Sequence, residues 1–382
     1  MSYLPLRPAL LCAALLGLGA PLAADRFLVF VGTYTGPKSE GIHAYRFDAD
    51  TGVIEELGLV ARTPNPSFLA LHPDGPYLYA ANEIADFRSG RGGSVTAFRL
   101  DRANGRLTAI NEASTVGGGP CHLVVDRAGR QVLVANYGGG SVCSLPIRPD
   151  GGLGEARSFV QHRGSSVDPA RQKEPHAHSI QVSPDNAFAV AADLGTDRLH
   201  LYRLDPEKGL QPLPESAWPR LAPGSGPRHF AFHPDGRHAY VINEMLSTLT
   251  VFDYHPRTGR LTGRQTVPTL PAGFSGSSST AEVVVHPGGR FVYGSNRGHD
   301  SLAVFAVEEG GGALRPVGHV PSGGRTPRNF NLDPTGRSLW VANQSTDNVA
   351  VFRVDLGTGL ATPTGQDLKV GSPVCVKFLR VD

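Results

Sequence analysis

The stretch GPRHFAFHPDGRHAYVINE (226–244) reads as a β-hairpin. Two runs that alternate apolar and polar residues flank Pro-Asp-Gly, whose proline and Asp-Gly pair preset the dihedrals of a tight turn. Related turns recur along the chain as HPDG (72), DRAG (126), SPDN (183), HPGG (286) and DPTG (333). A further strand with a glycine-containing turn behind it occurs seven times, as GIHAYRFD (41), SVTAFRLD (94), SVCSLPIR (141), RLHLYRLD (198), TLTVFDYH (248), SLAVFAVE (301) and NVAVFRVD (348). A period of about fifty residues marks a repeat architecture. The first unit lacks its opening strand and starts at FLVFVGTYT (27), while SPVCVKFLRV (372) supplies an opening strand with nothing after it. A closed ring accounts for both half-units, because the last strand completes the first sheet and leaves no open edge. The expectation is an all-β fold, a seven-bladed β-propeller closed by its C-terminal strand.

Composition agrees. The 382 residues include 47 glycines and 31 prolines, too many interruptions for long helices. The opening MSYLPLRPALLCAALLGLGAPLAADRF has one basic residue, Arg7, ahead of a short apolar run ending in small residues, the pattern of a cleaved secretory signal over residues 1–24. Residues 25–382 are then the propeller, expected to be periplasmic or secreted, with no membrane span, and monomeric. Loss of Arg7 takes the net charge from +2 to +1, which gives no electrostatic case for nucleic acid. Cys121, Cys143 and Cys375 remain after cleavage and read as small buried residues with room for one bridge.

Residues that recur from blade to blade serve the blade. His72, His233 and His286 precede the turns, and Asn82, Asn136, Asn243, Asn296 and Asn343 close the second strands, with Asp193 in the same place. Function is sought where the copies differ. At the entrance of the hairpin stand Ser67, Cys121, His178, Arg228, Ala281, Arg328 and Val374; at its exit stand Tyr34, Glu83, Tyr137, Leu194, Glu244, Arg297 and Gln344. Antiparallel pairing places Arg228 beside Glu244 and brings His178 and Arg297 to the same channel mouth. His176, His229, Asn243, Asn296, Arg328, Glu83 and Tyr137 are further substrate-facing candidates. No nucleophile triad is present, and His176, His178 and His229 form no ligand-spaced motif, so neither metal nor cofactor is expected.

FVGTYT (30), DPARQKEPHAHS (168), GPRHFAFHPDGRHAYVINE (226), VYGSNRG (292) and TPRNFNLDPTG (326) together resemble the seven-bladed propeller lactonases, a family that includes 6-phosphogluconolactonases and the fungal carboxy-muconate lactonizing enzyme. The resemblance implies an active site of His178, Arg228, Glu244 and Arg297 acting on a small lactone or sugar acid. Glu244 and His178 would exchange protons while the two arginines hold the anionic substrate and the oxyanion. Two alternatives share these groups: a cycloisomerase closing a muconate-type diacid, and a propeller that binds a ligand without chemistry, using the loops at 161 and 270.

Overall fold

The computed structural model describes residues 25–90, 92–310 and 312–381; the expected signal segment, 1–24, lies outside the described residues. Seven four-stranded antiparallel sheets follow one another in chain order, blades 2 to 7 spanning Pro66–Ser114, Pro120–Gln161, Ala177–Pro212, Pro227–Pro268, Ser279–Pro321 and Pro327–Lys369. Blade 5, which contains the opening hairpin, runs Pro227–Phe232, His238–Asn243, Thr248–His255 and Arg260–Pro268. In blade 1 the order is Pro373–Val381, Arg26–Thr33, Gly41–Asp48 and Ile54–Arg62, so the last strand of the chain pairs with the first and closes the ring. The opening strands of all seven blades touch one another in a complete circle, and this circle is the wall of the channel.

The core lies between blades. Tyr240, Ile242, Leu249 and Val251 of blade 5 pack against Val283, Val292, Ala303 and Phe305 of blade 6, and equivalent layers separate other neighbours. Alternation along each strand sends one set of side chains to each neighbouring sheet, which is why both faces are apolar.

The recurring histidines act as clasps. His72, His233 and His286 each bond through Nε2 to a glycine carbonyl in the turn of the next blade: Gly129 at 3.0 Å, Gly289 at 2.8 Å and Gly336 at 3.2 Å. Nδ1 of each accepts a backbone N–H of its own turn, so the proton sits on Nε2, which donates. Glycine is needed at these turns on two counts: φ is +65° to +74°, and a Cβ would meet the clasping imidazole. Buried tyrosines make a parallel set of ties, Tyr79 to Gly151 O, Tyr240 to Gly312 O and Tyr293 to Gly359 O.

Cys121, Cys143 and Cys375 are buried and free, so the reading as small core residues holds and no bridge forms.

Candidate active site

One structural device builds the channel mouth. In blade 5 the register runs Pro227 opposite Asn243 and then His229 opposite Ile242, so Arg228 is the extra residue of a β-bulge. The same bulge interrupts the opening strand of every blade, and its extra residues are Ser67, Cys121, His178, Arg228, Ala281, Arg328 and Val374. A bulge breaks the in-out alternation and re-aims a side chain. Here it points into the channel a position at which the seven copies differ in chemistry.

Arg228 and Glu244 meet as their spacing predicts, Nε to Oε2 at 3.0 Å, and both are buried. Arg297 reaches the same oxygen at 3.0 Å from the next blade. Each guanidinium is also fixed to the backbone, Arg228 to Ala281 O at 2.8 Å and Arg297 to Thr280 O at 2.7 Å. A third arginine, Arg171, comes from the long loop after blade 3 and donates to Glu244 Oε1 at 2.9 Å and to the Tyr137 hydroxyl at 3.2 Å. Burial raises the Glu244 carboxyl, but Arg297, Arg228 and then Arg171 outweigh it and bring it down to about 2. Burial, together with Arg297 and Arg328, lowers Arg228 to about 9, which leaves it charged at neutral pH.

His178 is buried at the mouth, with Nδ1 3.6 Å from the Cys121 sulfur. Burial first, and then the positive charge of Arg228, push it well below the ordinary histidine value, so it is neutral at physiological pH. Tyr137 covers it edge-on and stacks flat on His176, with ring centres 4.6 Å apart. Across the channel Arg328 donates to the Tyr34 hydroxyl at 2.9 Å, and that hydroxyl donates to Glu83 at 2.9 Å. Arg328 faces a cavity shared with His178, Arg228 and His229, and makes no ion pair with a carboxylate among the described residues.

Two candidates read differently in three dimensions. Asn296 spends its side chain on Thr269 and Ser301, and Asn243 donates to Thr248 and Thr250; both are buried inside their blades and act as ties between strands. Their recurrence in sister blades has that physical cause, and they are withdrawn from the substrate-facing set. Arg171 and Glu282 were not singled out by the sequence. Arg171 lies in a loop with no counterpart in other blades. Glu282 stands one residue beyond the bulge, in a second non-repeating series of Phe68, His122, Ser179, His229, Glu282, Asn329 and Cys375 that alignment on the first series passes over.

Two His-Asp-His groupings occur elsewhere among the described residues. His162, just after the last strand of blade 3, is buried with Asp193 and His200 of blade 4, and His233, Asp235 and His238 sit at a turn of blade 5. In the first, both nitrogens of His162 are taken, by Asp193 and by the Tyr202 hydroxyl at 2.6 Å each. In the second, His233 is the blade clasp already described.

The family model described as "Lactonase, 7-bladed beta-propeller" matches residues 28–378. The chain belongs to the seven-bladed β-propeller lactonase family. Its relatives include the 6-phosphogluconolactonase of Bacillus subtilis, 39% identical over 354 residues that span 93% of this chain and 99% of that one. The 6-phosphogluconolactonase of Formosa agariphila is 33% identical over 80% of this chain and 86% of its own. Among solved structures, the periplasmic gluconolactonase PpgL of Pseudomonas aeruginosa superposes with a TM-score of 0.87 at 38% identity, covering 94% of this chain and 100% of that one.

Proposed function

We propose that the protein hydrolyses the lactone of an anionic sugar acid at the channel mouth, outside the cytoplasm. The observation that carries this reading is the charge of the mouth. The carboxylates bonded to Arg171, Arg228, Arg297 and Arg328 are Glu244 and, through the Tyr34 hydroxyl, Glu83, and the deeper Glu282 is offset by Lys377, so two positive charges remain for an anion. Guanidinium groups in a buried site hold carboxylate or phosphate with directed hydrogen bonds and stabilise the oxyanion of a tetrahedral intermediate. Arg328 is the arginine best suited to take the ligand, because its hydrogen bonding is least used by the protein. Arg228 and Arg297 are held rigid by Glu244 and supply a fixed positive field at the carbonyl oxygen.

This arrangement favours His178 over Glu244 for proton transfer. A carboxylate at about 2, gripped by three arginines, is ionised at neutral pH and has little affinity for a proton. Its part is to orient the guanidiniums. His178 is neutral and can exchange protons with the substrate. The names of the relatives, 6-phosphogluconolactonase and gluconolactonase, support a sugar-acid lactone as the substrate class. The N-terminal pattern and the periplasmic neighbour support the export route.

The test is a pH-stat assay of D-glucono-1,5-lactone and its 6-phosphate, read above spontaneous hydrolysis. Wild type accelerates at least one of them, and Arg328→Ala loses about 100-fold in kcat/KM, in line with loss of a charged anion contact. A folded wild type that accelerates neither contradicts the reading.

A further inference from the structure

Beneath the mouth lies a second polar layer that the reaction as so far described does not use. His229, only 4% exposed, bonds through Nδ1 to Glu282 Oε1 at 2.7 Å. Glu282 is held from two other sides, by its neighbour's backbone N–H at Val283 and by the side-chain amide of Asn329. Burial raises the Glu282 carboxyl, but a donor on each of its oxygens favours the ionised form as an acceptor, which places the His229 proton on Nδ1 and leaves Nε2 as a lone-pair nitrogen. His229 Nε2 has no hydrogen-bond partner among the described residues, and the imidazole lines the cavity it shares with His178, Arg228 and Arg328. That cavity has room for about one water molecule.

We propose that His229, oriented by Glu282, is the general base that activates the hydrolytic water; the assignment rests on the lactonase reading. As the water oxygen bonds to the lactone carbonyl carbon, Nε2 takes one of its protons and the carbonyl oxygen becomes an oxyanion facing the guanidiniums. When the intermediate collapses, the bond from carbon to the ring oxygen breaks, the ring oxygen takes a proton from His178, and the proton held by His229 restores His178 across the cavity they share. One water is consumed and a hydroxy acid is formed. Glu282 touches neither substrate nor water and is a positioning residue, which stabilises the imidazolium formed in the transition state as the carboxylate of an acid-base-nucleophile array does.

The surroundings of His229 set its titration. Facing it are Arg228 on its own strand, Glu282 and Arg297 from blade 6, Arg328 from blade 7, Lys377 from the closing strand, His122 from blade 3, His178 from blade 4 and Glu83 across the cavity. Burial and then the positive charge of Arg228 and Arg328 keep the ring neutral well below the ordinary histidine value. The base is therefore unprotonated throughout the neutral range.

The experiment compares wild type, H229N and E282Q in the pH-stat assay with D-glucono-1,5-lactone and its 6-phosphate, with thermal melts alongside. H229N loses about 100-fold or more in kcat with KM within about threefold, the usual weight of a general base. E282Q loses about tenfold or more, and the acid limb of its kcat/KM profile moves to lower pH, because the imidazolium has lost its counter-charge. A purely structural role for Glu282 would leave the limb where it is in wild type. Active wild type with H229N or E282Q within about threefold of it overturns the assignment and leaves the lactonase reading standing. So does a wild-type acid limb at or above 6.5, which would identify another base. If H229N does not fold, the position of the wild-type limb and its displacement in E282Q decide. Folded wild type that hydrolyses neither lactone removes the lactonase reading and the dyad with it.

Discussion

The two ends of the blade 5 hairpin follow different rules. At the turn, His233 donates to Gly289 of the next blade, and His72 and His286 repeat that bond in their own blades. At the mouth, Arg228 sits on a bulge that every blade possesses, yet its partners Glu244 and Arg297 occur together nowhere else in the ring. Repetition at the turn follows from geometry, since each blade must be tied to its neighbour. The bulge is repeated as a backbone device and left free in its side chain, so it can be filled differently seven times around one channel.

The contrast has measurable consequences. Glu244→Gln should do the most damage, because it leaves Arg228 and Arg297 buried without their shared counter-charge. Breaking a buried pair in this way costs about 3 to 5 kcal/mol, which a denaturant titration reads, and lactone hydrolysis should fall by about 100-fold or more as the guanidiniums lose their alignment.

Acid should act next. His122, His178 and His229 are all buried and held well below the ordinary histidine value, burial being the main cause in each. The unfolded chain binds protons at these sites as pH falls below about 6.5 while the folded chain does not, so stability drops there. At full slope each histidine contributes about 1.4 kcal/mol per pH unit. Glu244 acts in the same direction at lower pH: its folded value of about 2 lies below the ordinary 4.5, so its stabilising share is lost as pH falls from that ordinary value through about 2. Thermal melts between pH 8 and 4 should therefore show a flat region followed by a decline that steepens below about 6.5. A melting temperature that rises on acidification would contradict the neutral state of these rings.

His233→Ala should cost about 1 to 2 kcal/mol through the lost clasp, with hydrolysis within about twofold of wild type. Arg171→Ala should have the smallest effect. The side chain is 43% exposed, so removing it leaves the melting temperature nearly unchanged. KM should rise a few-fold as one positive charge leaves the mouth.

How far the sequence reached depended on whether a feature repeats. Seven copies of a strand and turn, with complementary half-units at the two ends, define the ring and its closure. The partnership of Arg228, Glu244 and Arg297 follows from hairpin register and blade order. The bulge itself was not legible, because one extra residue in a strand of mixed polarity leaves no periodic mark. Glu282 was hidden by it: alignment on the bulge position lands on Ala281 and passes over the neighbour that meets His229. Arg171 reaches Glu244 from 73 residues away through a loop with no sister copy, which pattern alone does not connect. Asn243 and Asn296 erred in the other direction, since the asparagine that closes the second strand in five blades ties strands within the blade.

The decisive comparison is kcat/KM for D-glucono-1,5-lactone and its 6-phosphate in Arg228→Ala and His233→Ala beside wild type, each checked for a cooperative melt. A mouth that carries the chemistry predicts a loss of about 100-fold or more in Arg228→Ala and retention of activity in His233→Ala. A folded Arg228→Ala protein that hydrolyses both lactones as fast as wild type would contradict it.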